Sequence, residues 1–261
     1  MSAQSIVVLS DLHANATALR RAIAQAAEQP VSHWIVLGDL LTYGVDVAET
    51  LELVADLCAR RGAVVLRGNH DQLYRDLAAG DRTYYDTLPA WIRESADATL
   101  AQLDVGAFTT GLPWCDEHVI GDVLFSHATP FGAGDWRYLR SPADLEAALR
   151  VLGDRGYRLG VFGHVHRHRS AARVDAGPAR FEHDDVVVGP GECMVVTAGS
   201  VGQPRDDGQP ASFVRIDGDA NAATYHVRRV PVAYDVQAHV ARISASTLTE
   251  PTKARLASFF R

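Results

Sequence analysis

The first third of the chain alternates short apolar runs with segments of helical pattern, and this alternation limits the fold more than any other feature. We predict strands at residues 5–9, 33–37 and 63–66, joined by helices at 14–29 and 45–60. Runs such as IVVL and WIVL are apolar at every position, which is typical of parallel strands with both faces covered. The pattern therefore predicts a β-α-β-α-β unit with a parallel sheet.

The rest of the chain is expected to add helices and a second sheet. Residues 72–103 carry helix formers and aromatic side chains, and we predict helices there over one edge of the site. Whether the aromatic-rich part, residues 74–91, is a lid or a dimer contact is left open. From residue 119 onwards strands return as VLFS, LGVFG, VVVG, CMVVTAG, ASFVRI and TYHVRRV, which favours a second, largely antiparallel sheet. One helix is predicted at 142–152 and a helical segment outside the core from residue 235. Without a visible linker or repeat, we expect a single domain over residues 1–261.

Composition excludes several classes of protein. The formal net charge of −7 argues against a general nucleic-acid binder, which needs clustered Lys and Arg. No stretch approaches the roughly 18 apolar residues of a membrane span. The three cysteines lack the spacing of a disulfide framework or a thiolate zinc site. We therefore expect a cytoplasmic protein that forms no stable complex with nucleic acid or membrane.

A polar cluster follows each of five predicted strands. The clusters are Ser10-Asp11-Leu12-His13, Gly38-Asp39, Gly68-Asn69-His70-Asp71, Phe125-Ser126-His127 and Gly163-His164-Val165-His166. A lone Asp after a strand is usually a helix cap, and a lone His is usually a core or surface residue. Five clusters together are different, because parallel strands end at one edge of a sheet and three clusters have Gly beside the polar residue, which permits close backbone approach. They predict one shared site.

Carboxylate, imidazole and amide groups together suit hard to borderline divalent cations, and the lack of thiolates argues against a structural cysteine zinc site. Asp39 could bridge two such ions. In a two-metal site with ions about 3.5 to 4 Å apart, a shared water loses a proton near neutral pH and becomes the nucleophile. We expect two divalent metal ions, with Mn as first choice and Fe, Co, Ni, Zn or Mg as alternatives, and hydrolysis of a phosphate ester.

The series DLH, GD, GNHD, SH and GHVH, in this order, resembles the five motifs of the calcineurin-like metallophosphoesterase superfamily over residues 11–166. The stretches GDLLTYG and GSVGQPRD resemble the small bacterial phosphodiesterase-like branch of that superfamily. The resemblance implies an α/β fold in which two packed mixed β-sheets are flanked by helices, a four-layer α/β/β/α sandwich.

The same resemblance implies a role for individual residues. One metal would be held by Asp11, His13, Asp39 and His166, and the other by Asp39, Asn69, His127 and His164. Asp39 would be the bridge. His70 would be the general acid that protonates the leaving oxygen, with Asp71 orienting or charging it.

The residues expected to contact substrate are where the chain departs from the family. Phosphoprotein phosphatases carry an Arg in the segment GDxxxRG, and this chain has Tyr43 at that position, which weakens the phosphoprotein hypothesis. Arg205 could bring positive charge to the substrate or brace its own loop. Tyr43, Trp136 and Tyr138 could stack on a nucleobase or serve only as packing.

Three functions stay open at this point. The leading hypothesis is hydrolysis of a phosphodiester or nucleotide phosphoanhydride, so that the partner is a small phosphorylated molecule such as a nucleotide. The first alternative is a phosphomonoesterase, including a phosphoprotein phosphatase. The second is a non-catalytic scaffold of the same fold, against which the complete set of expected ligands argues. The oligomeric state is left open.

Overall fold

The computed structural model of the chain describes residues 4–175, 177–182, 185–205, 210–219 and 223–260. The strands are β1 (Gln4–Leu9), β2 (His33–Val36), β3 (Val64–Leu66), β4 (Trp114–Cys115), β5 (Glu117–Ile120), β6 (Val123–Ser126), β7 (Leu159–Phe162), β8 (His168–Val174), β9 (Arg180–Glu182), β10 (Asp185–Val188), β11 (Glu192–Ala198), β12 (Ser212–Asp219) and β13 (Thr224–Pro231). The helices are α1 (Ala16–Ala26), α2 (Val47–Arg61), α3 (Asn69–Ala78), α4 (Thr83–Thr87), α5 (Ala90–Leu100), α6 (Val105–Gly111), α7 (Pro142–Asp154), α8 (Val236–Ala245) and α9 (Glu250–Ala257), followed by a 3-10 helix at Ser258–Phe260.

The predicted parallel unit forms the middle of a seven-stranded sheet with the order β10-β13-β12-β1-β2-β3-β4. Strands β1, β2 and β3 are parallel neighbours, joined by α1 and α2 as expected. The side chain of Asn15 caps α1 by accepting a hydrogen bond from the backbone N–H of Ala18, at 3.0 Å. Helix α2 ends at Gly62, whose φ of 63° is the left-handed conformation that terminates many helices.

The second sheet has six strands in the order β5-β6-β7-β11-β8-β9. It is mixed, because β6, β7 and β11 run parallel while the outer pairs are antiparallel. Three strands that we placed in it, with the sequences VVVG, ASFVRI and TYHVRRV, belong instead to the first sheet as β10, β12 and β13. Strand β12 pairs antiparallel with β1, so that Ile6 lies opposite Ile216. Our assignment of these three strands to the second sheet was therefore wrong, because a strand pattern in the sequence does not show which neighbouring strand it pairs with.

Alternation along β1 explains why that strand is apolar throughout. Ile6 and Val8 face the core between the two sheets, whereas Val7 and Leu9 face the core under the helices. On the far side of the second sheet, α7 buries Leu149 in a third cluster. The layers are therefore helices, sheet, sheet and helix, which confirms the predicted fold class.

The helices predicted outside the two sheets are also present. Helices α3, α4 and α5 occupy most of the segment expected to be helical, and α3 begins at Asn69, inside the third polar cluster. The last segment forms α8 and α9, which pack against the helical side of the first sheet through Ile243 and Leu256. Within the described residues, the helices are too short or too polar to cross a bilayer.

We expect Ile216→Ala to lower the free energy of unfolding by about 2–5 kcal/mol, because Ile216 is fully buried between the sheets and its truncation leaves a cavity. Urea denaturation would measure this. Val187→Ala on β10 is the matched control: Val187 is 50% exposed, so the change should stay within about 0.5 kcal/mol. Equal losses in both variants would contradict the position of β12 between β1 and β13.

Candidate metal centre

The five polar clusters converge at one end of the two sheets. Possible ligand atoms of one set of side chains all lie within 4.8 Å of one another, and so do those of a second set. The first set is Asp11, His13, Asp39 and His166, and the second is Asp39, His127 and His164. Every one of these residues is buried. The side-chain oxygen of Asn69 adjoins the second set, 3.1 Å from Nε2 of His127.

Five of these residues adopt the left-handed backbone conformation that non-glycine residues rarely use. They are Asp11, His13, Asp39, His164 and His166, with φ between 45° and 67°. Each such residue costs about 1–3 kcal/mol and persists only where the surrounding structure enforces it. Backbone strain therefore falls on five candidate ligands, which is expected at a site where the exact position of the side chains is needed for binding.

Two glycines allow the strand ends to approach each other closely. A Cβ atom on Gly68 would overlap Oδ1 of Asp39. A Cβ atom on Gly163 would overlap Oγ of Ser10 and lie 2.8 Å from Oδ2 of Asp11. The prediction that glycine beside the polar residues permits close approach is therefore confirmed, because any larger residue would push the carboxylates away.

Backbone carbonyls orient the four candidate histidines. Nδ1 of His13, His127 and His166 lies 3.0, 2.6 and 2.7 Å from the carbonyl oxygens of Leu41, Leu37 and Gln203, and Nε2 of His164 lies 2.9 Å from that of Trp136. A carbonyl only accepts, so the facing ring nitrogen carries the hydrogen and the other nitrogen presents a lone pair to the site. The sequence did not predict these four carbonyl partners, because every residue has a backbone carbonyl and the residue type does not show which one lies beside a histidine.

Two of those lone pairs point at each other. Nε2 of His13 lies 3.0 Å from Nε2 of His166, which lies 3.3 Å from Oδ1 of Asp11. Burial lowers the pKa of both rings well below the ordinary value, so neither histidine supplies a proton to this contact. Electron-rich atoms this close are repulsive unless a cation lies among them. The donor set therefore fits a divalent metal ion.

Asp39 links the two sets. Its Oδ2 lies 3.8 Å from Nε2 of His13, in the first set, and 3.5 Å from Nε2 of His127, in the second. Its Oδ1 accepts a hydrogen bond from the backbone N–H of His70, at 2.8 Å. Burial, and then the neighbouring Asp71, raise the pKa of Asp39, and burial raises the pKa of Asp11 to about 7. Cations would reverse both shifts, since they favour the ionised carboxylates.

Asp71 has different partners from the one that we predicted. Its Oδ2 accepts hydrogen bonds from the backbone N–H groups of Asp39 and Gly68, at 2.7 and 2.8 Å, and its Oδ1 accepts one from Leu40, at 3.0 Å. These bonds tie the end of β2 to the end of β3. The carboxylate forms no hydrogen bond with the ring of His70, so it acts here as a brace for the backbone that carries Asp39.

His70 is instead paired with Tyr43, whose hydroxyl lies 3.0 Å from its Nε2. The other ring nitrogen, Nδ1, is buried without a hydrogen-bond partner among the described residues. Burial, followed by the positive charge of Arg205, lowers the pKa of His70 to about 3. A buried polar atom without a partner is expected to acquire one, and an oxygen of a bound ligand would suffice.

The residues predicted to contact substrate fall into two groups. Tyr43 is only 5% exposed, with its ring stacked on Trp91 at 5.5 Å, so a nucleobase could not stack there without displacing that side chain. Trp136 packs edge-on against His127. Tyr138 is 39% exposed, but its ring stacks on His164 at 4.1 Å and carries the guanidinium of Arg140 at 3.7 Å from its centre, so a nucleobase could stack there only by displacing one of them.

Arg205 braces its own loop, and its charge also reaches the candidate ligands. Its guanidinium donates to the side-chain oxygen of Gln203 at 2.9 and 3.2 Å, which braces the loop. The guanidinium carbon also lies 5.6 Å from the centre of the Tyr43 ring. Burial is the main cause that lowers the pKa of His70, His164 and His166, and the charge of Arg205 adds to it. The loop arginine therefore directs positive charge into the site.

Known proteins resemble this chain over nearly its whole length. The model of the calcineurin-like phosphoesterase superfamily domain matches residues 5–221. An uncharacterized protein of Methanocaldococcus jannaschii is 27% identical over 257 residues, covering 96% of each chain. A crystal structure of a metallophosphoesterase from Sphaerobacter thermophilus superimposes with a TM-score of 0.74 at 24% identity, covering 99% of this chain and 100% of the other. A hypothetical protein from Pyrococcus horikoshii superimposes with a TM-score of 0.75 at 20% identity, covering 97% of each chain. These two structures share the fold.

We expect Mn²⁺ to raise the melting temperature of chelator-stripped protein, because the cation binds the folded site and not the unfolded chain. At a concentration about 100 times the Kd, the stabilisation is about 2.7 kcal/mol, or several degrees for a chain of this size. Differential scanning fluorimetry would measure the shift. Asp39→Asn should abolish most of it, whereas His226→Gln, at an exposed position on β13, should not. No shift with any first-row divalent ion would contradict the metal centre.

Proposed function

Because the chain belongs to the calcineurin-like phosphoesterase superfamily, we propose that it hydrolyses a phosphodiester or a nucleotide phosphoanhydride with the help of two divalent cations. The observation that carries the proposal is the position of Asp39. One carboxylate oxygen lies between His13 and His127, and thus between two ligand sets, which is where a bridging ligand belongs.

The residues fit the ions that the family implies. Asp11, His13, Asp39 and His166 would hold one cation, and Asp39, Asn69, His127 and His164 the other. When bound, the two cations would neutralise phosphoryl charge and lower the pKa of a shared water. Oxygen and nitrogen ligands accept several first-row ions, and we propose Mn²⁺ as the first to test.

The protein's own contribution is to hold these buried groups in fixed positions. Asp71 fixes the backbone of Asp39, and the carbonyl partners fix the histidine rings, so little reorganisation is needed when substrate binds. The side-chain amide of Asn69 is held by Tyr84, whose hydroxyl accepts a hydrogen bond from its Nδ2 at 3.0 Å. Preorganisation of this kind supports catalysis over a scaffold role.

His70 is the proposed general acid. Its ring is neutral in the ligand-free site, because burial and Arg205 lower its pKa to about 3. A bound phosphate would bring negative charge next to the ring and raise that pKa, so that the ring takes up a proton from water and then gives it to the leaving oxygen. Tyr43 orients the ring through its contact with Nε2. Asp71 takes no direct part in this step.

Phosphomonoesterase activity is the second candidate, and the position of Arg205 favours it. The chain has Tyr43 where phosphoprotein phosphatases of the family have an arginine, yet Arg205 carries its guanidinium over that tyrosine ring. A guanidinium there could bind the extra charge of a monoester. We still favour diesters and anhydrides, because the phosphatase-type arginine itself is absent.

We expect Asp39→Asn to abolish metal-dependent turnover of bis-p-nitrophenyl phosphate, and His70→Ala to lower kcat about 10²- to 10⁴-fold, the usual range for a general acid. Tyr43→Phe should lower kcat only about two- to tenfold, since a single hydrogen bond is lost. Steady-state kinetics with Mn, Co, Ni, Mg or Zn restored singly would measure this. His118→Gln, on β5, is the control. Unchanged kcat in His70→Ala would exclude the acid role.

We expect a higher kcat/KM on bis-p-nitrophenyl phosphate than on p-nitrophenyl phosphate, because the site lacks the arginine used by the family's phosphoprotein phosphatases. Both esters release the same chromophore, so one absorbance assay compares them. A preference for the monoester would support the second candidate. Absence of turnover on either ester, and on a dinucleoside polyphosphate, with every metal would leave the scaffold hypothesis.

A further inference from the structure

A basic pocket lies next to the metal centre. Its volume is about 360 Å³, within the range of sites for small ligands. We call it the arginine pocket, and its walls are Leu139, Arg140, Val165, Arg167, Arg169 and Arg205. Four arginines around one cavity stand out in a chain whose formal net charge is −7.

The pocket and the metal centre share their walls. Val165 stands between the candidate ligands His164 and His166, and the backbone N–H of Arg205 donates to the carbonyl of His166, at 3.2 Å. Leu139, another wall residue, follows Tyr138, whose ring stacks on His164. The arginine pocket therefore adjoins the residues that form the candidate metal centre.

Among the described residues, three of the four arginines of the arginine pocket have no carboxylate partner. Arg140, Arg167 and Arg205 form no salt bridge within the part of the chain that the structure describes. By contrast, Arg137 pairs with Asp135, and Arg155 with Glu117. Unpaired guanidinium groups gathered around a cavity favour an anion there.

The geometry of these groups favours phosphate over other anions. A guanidinium presents a planar fork of N–H donors that matches two phosphate oxygens at once. Arg140 is held in position by its ring contact with Tyr138, at 3.7 Å, and Arg205 by its two bonds to Gln203. Side chains already ordered in this way lose less freedom when a ligand binds.

We propose that the arginine pocket binds a second phosphate group of the substrate while the group to be cleaved lies at the metal centre. The proposal rests on the proposed function for the position of the scissile group. It narrows the substrate to a phosphate ester or anhydride with at least one further phosphate group, of which a dinucleoside polyphosphate is the simplest test case. A simple diester would leave the pocket unused.

Tripolyphosphate is the probe for the pocket itself. Titration calorimetry on chelator-stripped protein measures its binding without a metal and without turnover. Arg167→Gln should weaken binding about five- to tenfold, and Arg140→Gln combined with Arg167→Gln more strongly, because each substitution removes a charged donor that is partly screened by solvent. The matched controls are Arg150→Gln and Arg61→Gln combined with Arg150→Gln, which remove the same charge from exposed helix positions. These should bind as the unmodified chain does.

Kinetics then test the role in substrate recognition. In Arg167→Gln, the ratio of kcat/KM for diadenosine tetraphosphate to kcat/KM for bis-p-nitrophenyl phosphate should fall about five- to tenfold, and in Arg150→Gln it should not change. Equal tripolyphosphate binding in pocket and control variants, or an unchanged ratio, would overturn the proposal. Loss of tripolyphosphate binding in the pocket variants alone, in a chain without turnover on any ester, would count against the proposed function and not against the pocket.

Discussion

The site depends on one electrostatic constraint: buried electron-rich atoms face one another with no proton between them. The contact between His13 and His166 shows it most clearly, since each ring donates its only hydrogen to a backbone carbonyl and turns a lone pair towards the other. Burial keeps both rings neutral. Such an arrangement is unfavourable by itself and becomes favourable around cations, so this donor set suits metal ions.

The fold supports this arrangement through rigid backbone. The parallel strands β1, β2 and β3 bring three polar clusters to one edge, and Asp71 ties two of those strand ends together through three backbone N–H groups. Left-handed residues and close-approach glycines add local strain. Cores on both faces of the first sheet hold the strained residues in place, so the geometry of the candidate site is kept at the expense of local stability.

Sequence reasoning succeeded where local pattern and chain order carry the information. The apolar runs before the DLH, GD and GNHD motifs predicted parallel strands, and the helices between them followed from periodicity. The family and fold class were confirmed, and the predicted ligand sets are the side chains that the structure brings together. It failed for β12, because a strand pattern carries no record of its partner. It also assigned Asp71 a role on the ring of His70, whereas the carboxylate accepts hydrogen bonds from backbone N–H groups. Residues adjacent in sequence on a helix do not face each other, which is why the two side chains have different partners.

By itself, the sequence determined which residue types stand at the ends of which strands, and therefore the family, a donor set suited to metal ions and the general position of the site. Only the tertiary structure decided which nitrogen of each histidine faces the site, which groups brace Asp39, and that Arg140, Arg167 and Arg205 gather beside His164 and His166. The physical reason is that hydrogen bonds to backbone carbonyls and the sharing of a cavity wall depend on distances between segments far apart in the chain, and those distances have no signature in local sequence.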